Sequence, residues 1–503
     1  MNRLFDTPLE QLLADAWRGI DTKARAAFFV AVAVSLLAFG FEMTNLTLHH
    51  DDVVQIFIED TILGHYLGRF GTGWLHYYTQ GAHIMPFLQM AQGIVIMAVY
   101  GVLVARFWGA RSTPDLALVA CIACVFPYLA QVYQYNSTQA TYSVAHLMAA
   151  AAVVLSVRRS LWALLASALL YLGAFSIYQG VAANAATIFF VWWLMRLLRP
   201  IDGQNTSARG VATEAAWAAG AALLGGALYY AAVSQMTIAF DGYQSAEKAL
   251  RPGGGVDLGR SVPAIIAASR SSYLWPETYI PGFLKSLQMV FVGGMALACL
   301  LLPRTWLQRL LALALLPVVL ISPRLLQLMH AEGRFHELTL TAYALVFAAA
   351  VLAVRQAGPV LLRNAAMLGG ALLVGGYVVQ CAWISTINHL NTQAHLSTTT
   401  QVLARLRSMP DAGWDGRKVV VVGEYDMRED YPFKRATGVA SEFMRAHHMN
   451  LMARLLRDEA SFVKASDATP AAIGFAQAHP PWPHPASVGV VEGTAVVVLS
   501  KPK

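Results

Sequence analysis

Two adjacent carboxylates, Asp51 and Asp52, follow His49-His50 just beyond the first long apolar segment of the chain. A carboxylate in such a place can take a proton from an attacking hydroxyl, orient that hydroxyl, or share a divalent cation with its neighbour. Charge held at a membrane's edge is costly, so it marks a functional site by default. Like charges side by side repel and make poor structural cement, which favours a chemical use for the pair. The preceding His49-His50 receives no role.

The same segment, residues 44–85, also carries Glu59, Asp60, Arg69, Trp74, His76, Tyr77 and Tyr78. Aromatic rings suit the apolar faces of sugars and equally suit the headgroup level of a bilayer, so Trp74, Tyr77 and Tyr78 stand open between a sugar platform and an interfacial belt. Further along lie Lys285, Arg324, Arg334 and His336, the last three in a short polar stretch between two apolar runs. Arginine's planar fork grips phosphate bidentately, so these residues and Arg69 read as phosphate or acceptor ligands rather than partners of Glu332 and Glu337. Lys248, Arg251 and Arg260 flank Gly253-Gly254-Gly255 and read as solvated loop charge. Two more polar spots, Tyr133-Gln134-Tyr135-Asn136 and Tyr178-Gln179, interrupt apolar sequence; the second also fits a tight turn with Gly180.

The elements that must position these residues follow from composition. With 57% hydrophobic and 13% charged residues over 503 positions, and a mean hydropathy of +0.50, the chain has too little polar surface for a soluble globule of its size. Apolar runs of about 20 residues suit membrane-spanning helices. The pattern predicts them at 24–43, 86–106, 114–130, 140–157, 161–178, 180–198, 212–234, 283–302, 305–321, 337–354 and 362–382. About eleven helices result. Residues 1–22 read as an amphipathic interfacial helix, with Leu9, Leu12, Leu13, Ala16 and Trp17 at helical spacing, ahead of a retained first span rather than a cleaved signal.

Arginines fall in every second loop, from Arg3, Arg18 and Arg25 through Arg106, Arg158, Arg199 and Arg304 to Arg355. This positive-inside pattern places the N-terminus in the cytoplasm and Asp51-Asp52 outside. The net charge of +7 therefore reports membrane orientation, with membrane lipids as partners and no nucleic acid. Two long outer loops, 44–85 and 235–282, belong to a membrane domain over 23–382. Residues 383–503 read as a small α/β domain beyond the membrane, with strands at 418–422 and 488–499 around a helix at 441–458. Cys121 and Cys124 form a CxxC inside an apolar run without histidine in register, so all four cysteines read as small buried hydrophobes and no metal site is assigned.

The order of these features resembles the bacterial and phage O-antigen glucosyltransferases of the Gtr type. It runs from Asp51-Asp52 through Arg69 and Gly71-Thr72-Gly73-Trp74, Phe126-Pro127-Tyr128 and Tyr178-Gln179 to a tail closing in Pro481-Trp482-Pro483. The resemblance implies an all-α polytopic membrane enzyme of the GT-C kind in the bacterial inner membrane, with a periplasmic C-terminal domain. It also implies a catalytic carboxylate in the first outer loop, a polyprenyl-phosphate sugar donor, glucose as the sugar and a glycan acceptor such as lipopolysaccharide. Asp51 and Asp52 are then the catalytic candidates, Asp51 preferred as base, and Arg69, Trp74, Tyr178, Gln179, Lys285, Arg324, Arg334 and His336 the substrate-binding ones. No cofactor is assigned, and a divalent cation on the aspartates stays open. Two alternatives stand beside this reading. A flippase of lipid-linked saccharides would place charge at mid-membrane and show repeated broken helices, neither of which is evident. An O-antigen polymerase or ligase would also use outward arginines but would not need the early Asp-Asp.

Overall fold

The computed structural model describes residues 11, 18–48, 52, 68–80, 83–136, 138–199, 208–239, 257–277, 279–303, 305–328, 335–409, 414–426 and 443–501. Most of them are helical. The membrane part comprises α1 (Thr22–Thr44), α2 (Phe70–Gln80), α3 (Pro86–Phe107), α4 (Thr113–Val125), α5 (Tyr128–Tyr133), α6 (Gln139–Ser156) and α7 (Leu161–Ile177). It continues with α8 (Val181–Leu198), α9 (Ala208–Ala239), α10 (Leu258–Leu274), α11 (Gly282–Leu301), α12 (Trp306–Ile321), α13 (Tyr343–Ala357) and α14 (Val360–Arg407).

Eight helices, α1, α3, α6, α8, α9, α11, α12 and α14, include a stretch long and apolar enough to cross a membrane, and α4, α7 and α13 are shorter apolar helices among them. This is a membrane protein. Large apolar side chains such as Leu37, Leu169, Leu223, Leu301 and Leu361 stay exposed on the bundle's outside, where lipid rather than water would meet them. α13 is buried from Tyr343 to Val354 and forms the centre; a helix apolar all round belongs there. Small residues let helices close on one another: a Cβ on Gly101 of α3 would lie 2.8 Å from the Ala120 Cα of α4.

Local chemistry sets the ends. Asp21, Ser112, Ser160 and Thr305 cap α1, α4, α7 and α12 through side-chain oxygens, Thr305 with Gln308 in a reciprocal capping box. The helix expected over 114–130 is split. Pro127 pushes Phe126 into an extended conformation, α4 stops at Val125, and α5 restarts at Tyr128. The tenth predicted helix begins later, at Tyr343, after a 3-10 turn at Glu337–Thr339. The last does not stop near 382: α14 runs for 48 residues, roughly 70 Å. The loops expected over 44–85 and 235–282 hold α2 and α10 respectively.

Polar contacts fix which helix ends lie together. At the end away from Asp52, Arg196 is 1% exposed and pairs with Glu214, which also takes Arg159. Arg355 Nε meets Asp115 Oδ1 at 2.7 Å. Cys121, Cys124, Cys299 and Cys381 are buried and unbridged.

Beyond α14 a small α/β domain follows: β1 (Lys418–Val422), β2 (Tyr425–Asp426), β3 (Phe443–Met444), α15 (Ala446–Leu455), β4 (Ser461–Lys464), α16 (Pro470–Ala478), β5 (Val488–Val491) and β6 (Thr494–Val498). Its sheet order is β4-β1-β6-β5, with β4, β1 and β6 parallel and β5 antiparallel at the edge. Alternation along β1 sends Val419 and Val421 to the face covered by α15, and Val420 and Val422 to the face covered by α16. Val402, Leu403 and Leu406 of α14 enter the first of these cores, so the long helix belongs to bundle and domain alike.

Glu214→Ala leaves the Arg196 guanidinium buried without its carboxylate. It is expected to cost about 3–5 kcal/mol, read as a lower thermal midpoint in detergent, whereas the double change Glu214→Leu with Arg196→Met regains most of the loss.

Candidate active site

Asp52 is 0% exposed. Its Oδ2 accepts from Asn136 Nδ2 at 2.8 Å, and the same amide group donates to the Thr47 carbonyl at 2.6 Å. Gln139, at the start of α6, orients Asn136 in turn: its Nε2 donates to Asn136 Oδ1 at 3.3 Å and to the Tyr133 carbonyl at 2.5 Å. The Thr47 hydroxyl donates to Glu42, a second buried carboxylate, which projects from the last turns of α1 beside Ser385 of α14 and within electrostatic reach of Asp52. Two carboxyl groups this close in an apolar setting disfavour each other's charge, and Asn136, Thr47 and Ser385 are among the groups that anchor them. Asp51, like His49, His50 and Arg334, lies outside the described residues.

A second group gathers from the turn before α2, from α6 and α9, and from the turn between α7 and α8. Arg69 Nη1 donates to the Tyr142 hydroxyl at 2.9 Å and its Nε to Gln179 Oε1 at 3.4 Å, with the guanidinium 5.2 Å from the Tyr178 ring centroid. Tyr142 and Tyr178 stack at 4.5 Å. Gln179 Nε2 donates to the Tyr229 hydroxyl at 2.6 Å, which donates to the Gly68 carbonyl at 3.1 Å. Gly68 has φ +67°, and a Cβ there would lie 2.8 Å from that hydroxyl, so this turn into Arg69 admits only glycine without displacement. Arg69, Tyr178 and Gln179, singled out separately in sequence, are thus one cluster. Trp74 stands apart from it, 48% exposed on α2 and edge-on to Phe70, which stacks on Tyr229.

A third group lies between α10, α11 and α13. Arg324 Nη2 donates to Ser272 Oγ at 2.7 Å and its Nε to the Tyr343 hydroxyl at 3.0 Å. Lys285 Nζ donates to the Ser272 carbonyl at 2.5 Å and to Glu277 Oε1 at 2.8 Å, while Glu277 Oε2 accepts from the Tyr128 hydroxyl at 2.6 Å. Lys285 therefore carries a neutralised charge and braces Ser272. Arg324 does not: among the described residues its partners are hydroxyls. His336 is exposed at the cap of the 3-10 turn that holds Glu337. The second and third groups join through the interior, where His146, one turn after Tyr142, meets Thr341 Oγ1 at 3.1 Å, two positions before Tyr343. Among the described residues no three His, Cys, Asp or Glu side chains converge as a metal cage.

Glu42, Tyr142, Tyr229 and Glu277 escaped the sequence reading. Glu42 had a signal, being a lone carboxylate inside an apolar run, where an ionisable group points to function. The tyrosines had none, since a tyrosine at a helix end matches the interfacial belt.

The model of the family described as Glucosyl transferase GtrII matches residues 40–354, more than half of the chain. That stretch begins just before Glu42 and ends within α13, so it contains all three groups but not the C-terminal domain. No curated protein and no solved structure matches the chain.

Burial, and after it the Glu277 charge, push the Glu337 carboxyl up from 4.5, with its own backbone and His336 working the other way. Its folded state then holds the proton to higher pH than its unfolded state, so stability is full below about 4.5 and falls as pH rises through the raised value. Glu337→Gln is expected to flatten that slope in thermal midpoints measured across the acid range; an unchanged slope assigns it elsewhere.

Proposed function

The chain belongs to the GtrII glucosyltransferase family, and on that premise we propose that it transfers glucose from polyprenyl phosphate to a lipopolysaccharide O-antigen or similar surface glycan on the periplasmic side of the bacterial inner membrane. The observation that carries this reading is a pair of partly buried guanidiniums, Arg69 and Arg324, held by hydroxyls and one amide at the same end of the bundle as buried Asp52. Hydroxyls orient a guanidinium without cancelling its charge. The rim therefore keeps a positive field at the depth where a lipid-borne phosphate arrives.

In the proposed reaction the acceptor hydroxyl attacks the anomeric carbon and the bond from that carbon to the phosphate oxygen breaks. The electron pair leaves with the phosphate, whose charge Arg69 or Arg324 receives. The acceptor's proton passes to a carboxylate of the Asp51-Asp52 pair. Asp51 is assigned as the base, and Asp52, gripped by Asn136, holds the acceptor hydroxyl in line. Attack opposite the departing phosphate inverts the anomeric centre, and a phosphate leaving group needs no strong acid. Trp74 offers an exposed ring to a sugar face, and Arg334 and His336 take the acceptor side. Eleven crossings with a cytoplasmic N-terminus would put this rim and the C-terminal domain in the periplasm.

Purified protein supplied with radiolabelled glucose on polyprenyl phosphate tests the assignment. Asp51→Asn and Asp52→Asn are each expected to lower transfer by about 10²–10⁴-fold, and Arg324→Gln by roughly tenfold or more, the loss of charge-assisted contacts. Full transfer by both aspartate variants would overturn the mechanism. Transfer that survives thorough chelation removes the divalent cation from it.

A further inference from the structure

The geometry points to a second ligand site, for an anionic group of the acceptor glycan, in a crevice of the C-terminal domain that the matched family segment does not reach. It rests on the glycosyl-transfer reading only for the identity of the glycan. The crevice, of about 640 Å³, opens beyond the carboxyl ends of β1 and β4. These strands are neighbours and parallel, yet the helix after β1 packs on one face of the sheet and the helix after β4 on the other. Where adjacent parallel strands send their crossovers to opposite faces, the chain diverges and leaves a gap at the carboxyl edge. Open α/β sheets bind their ligands in that gap.

Its lining suits an anion. Gly423 and Glu424 follow β1, Lys464 and Ser466 close β4, and Arg445 and His447 stand at the amino end of the ten-residue α15. Among the described lining residues Arg445 and Lys464 are cationic and Glu424 is acidic. Arg445 Nε meets Glu424 Oε1 at 2.8 Å and its Nη2 meets Oε2 at 3.0 Å, which fixes the guanidinium at the crevice. Gly423 has φ +80°, and a Cβ there would come within 2.6 Å of the Ser500 carbonyl, so this turn at the crevice edge takes glycine. The side chain of Arg445, the N-cap residue, does not cap α15, and the leading amide groups of that helix add to the field.

The position points to the acceptor. Leu451 and Met452, on the same short helix that lines the crevice, pack against Leu48 and against Leu396 of α14. Leu48 lies just ahead of Asp52 in the chain, and its amide donates to Thr392 Oγ1 at 3.2 Å. One turn of α15 thus separates an anion-suited crevice from the segment that carries the aspartates, within reach of a polymeric glycan and on the same side of the bundle. A subsite here grips one acidic residue of the chain while a neighbouring sugar meets the aspartates, which gives a chain-like acceptor an advantage over a monosaccharide.

Titration calorimetry on the purified full-length protein tests this with three probes: inorganic phosphate, a glucuronic acid-containing disaccharide, and vesicles carrying polyprenyl phosphate. Saturable binding of a soluble probe is expected, equal in Asp52→Asn and weaker by roughly tenfold in Lys464→Ala or His447→Ala. Those side chains are exposed, so the wild-type thermal midpoint should persist. Absence of saturable binding by either soluble probe, binding by the vesicles alone, or binding lost in Asp52→Asn but kept in Lys464→Ala overturns the inference. Crevice binding in a protein that shows no transfer with any donor would sink the glycosyl-transfer reading and leave the crevice intact, so the two failures are separable.

Discussion

Burying the Asp52 carboxylate at the end of an apolar bundle requires hydrogen-bond partners, and much of the rim is arranged around the one that Asn136 supplies. An unpaired buried carboxylate costs far more than a hydrogen bond returns. Asn136 must therefore present its amide in one orientation, with its NH2 group toward Asp52 and the Thr47 carbonyl. Gln139 sets that orientation from the first turn of α6, and α6 can start there because Pro127 has already ended α4 and the short α5 has turned the chain. One turn beyond Gln139 stands Tyr142, which carries Arg69. A single helix start thus holds the aspartate on one side and the guanidinium on the other.

α14 extends this constraint beyond the bundle. Its middle turns bring Ser385 to Glu42 and Thr392 to the Leu48 amide, and its last turns insert Val402 and Leu406 into the core of the C-terminal domain. An unbroken helix transmits orientation, so the domain cannot drift far from the aspartate segment without breaking apolar contacts at both ends. His395 stacking on His448 at 5.0 Å adds a further tie between α14 and α15. The domain is thereby held against the segment that precedes Asp52 rather than hanging from a free tether.

The membrane architecture was largely legible from the sequence because apolar runs of spanning length are a long, redundant signal. Most predicted boundaries fall within a few residues of those observed. The exceptions have local causes: Pro127 split one run in two, and the last helix outran its apolar stretch because polar residues such as Thr392 and His395 meet Leu48 and His448 rather than water. The site was legible in parts. Arg69, Tyr178 and Gln179 each stood out alone, but nothing in their spacing announced that Tyr142 and Tyr229 would join them, since clustering of α6, α9 and the turn between α7 and α8 is a property of packing. Lys285 shows the converse. Its charge stood out in sequence, yet Glu277 neutralises it, a pairing visible only once the chain is folded.

Arginine appears at both ends of this bundle with opposite fates, and the contrast argues for where the anion goes. Away from Asp52, Arg196 and Arg159 share Glu214, and Arg355 takes Asp115; every one of these arginines meets a carboxylate, as structural cement requires in a low-dielectric setting. At the Asp52 end, the partners of Arg69 and Arg324 among the described residues are Tyr142, Gln179, Ser272 and Tyr343, all neutral. Neutral partners fix geometry and leave the field standing. A partly buried cation kept in that state costs stability that a carboxylate neighbour would recover. A counter-charge brought by an anionic ligand would recover the same cost.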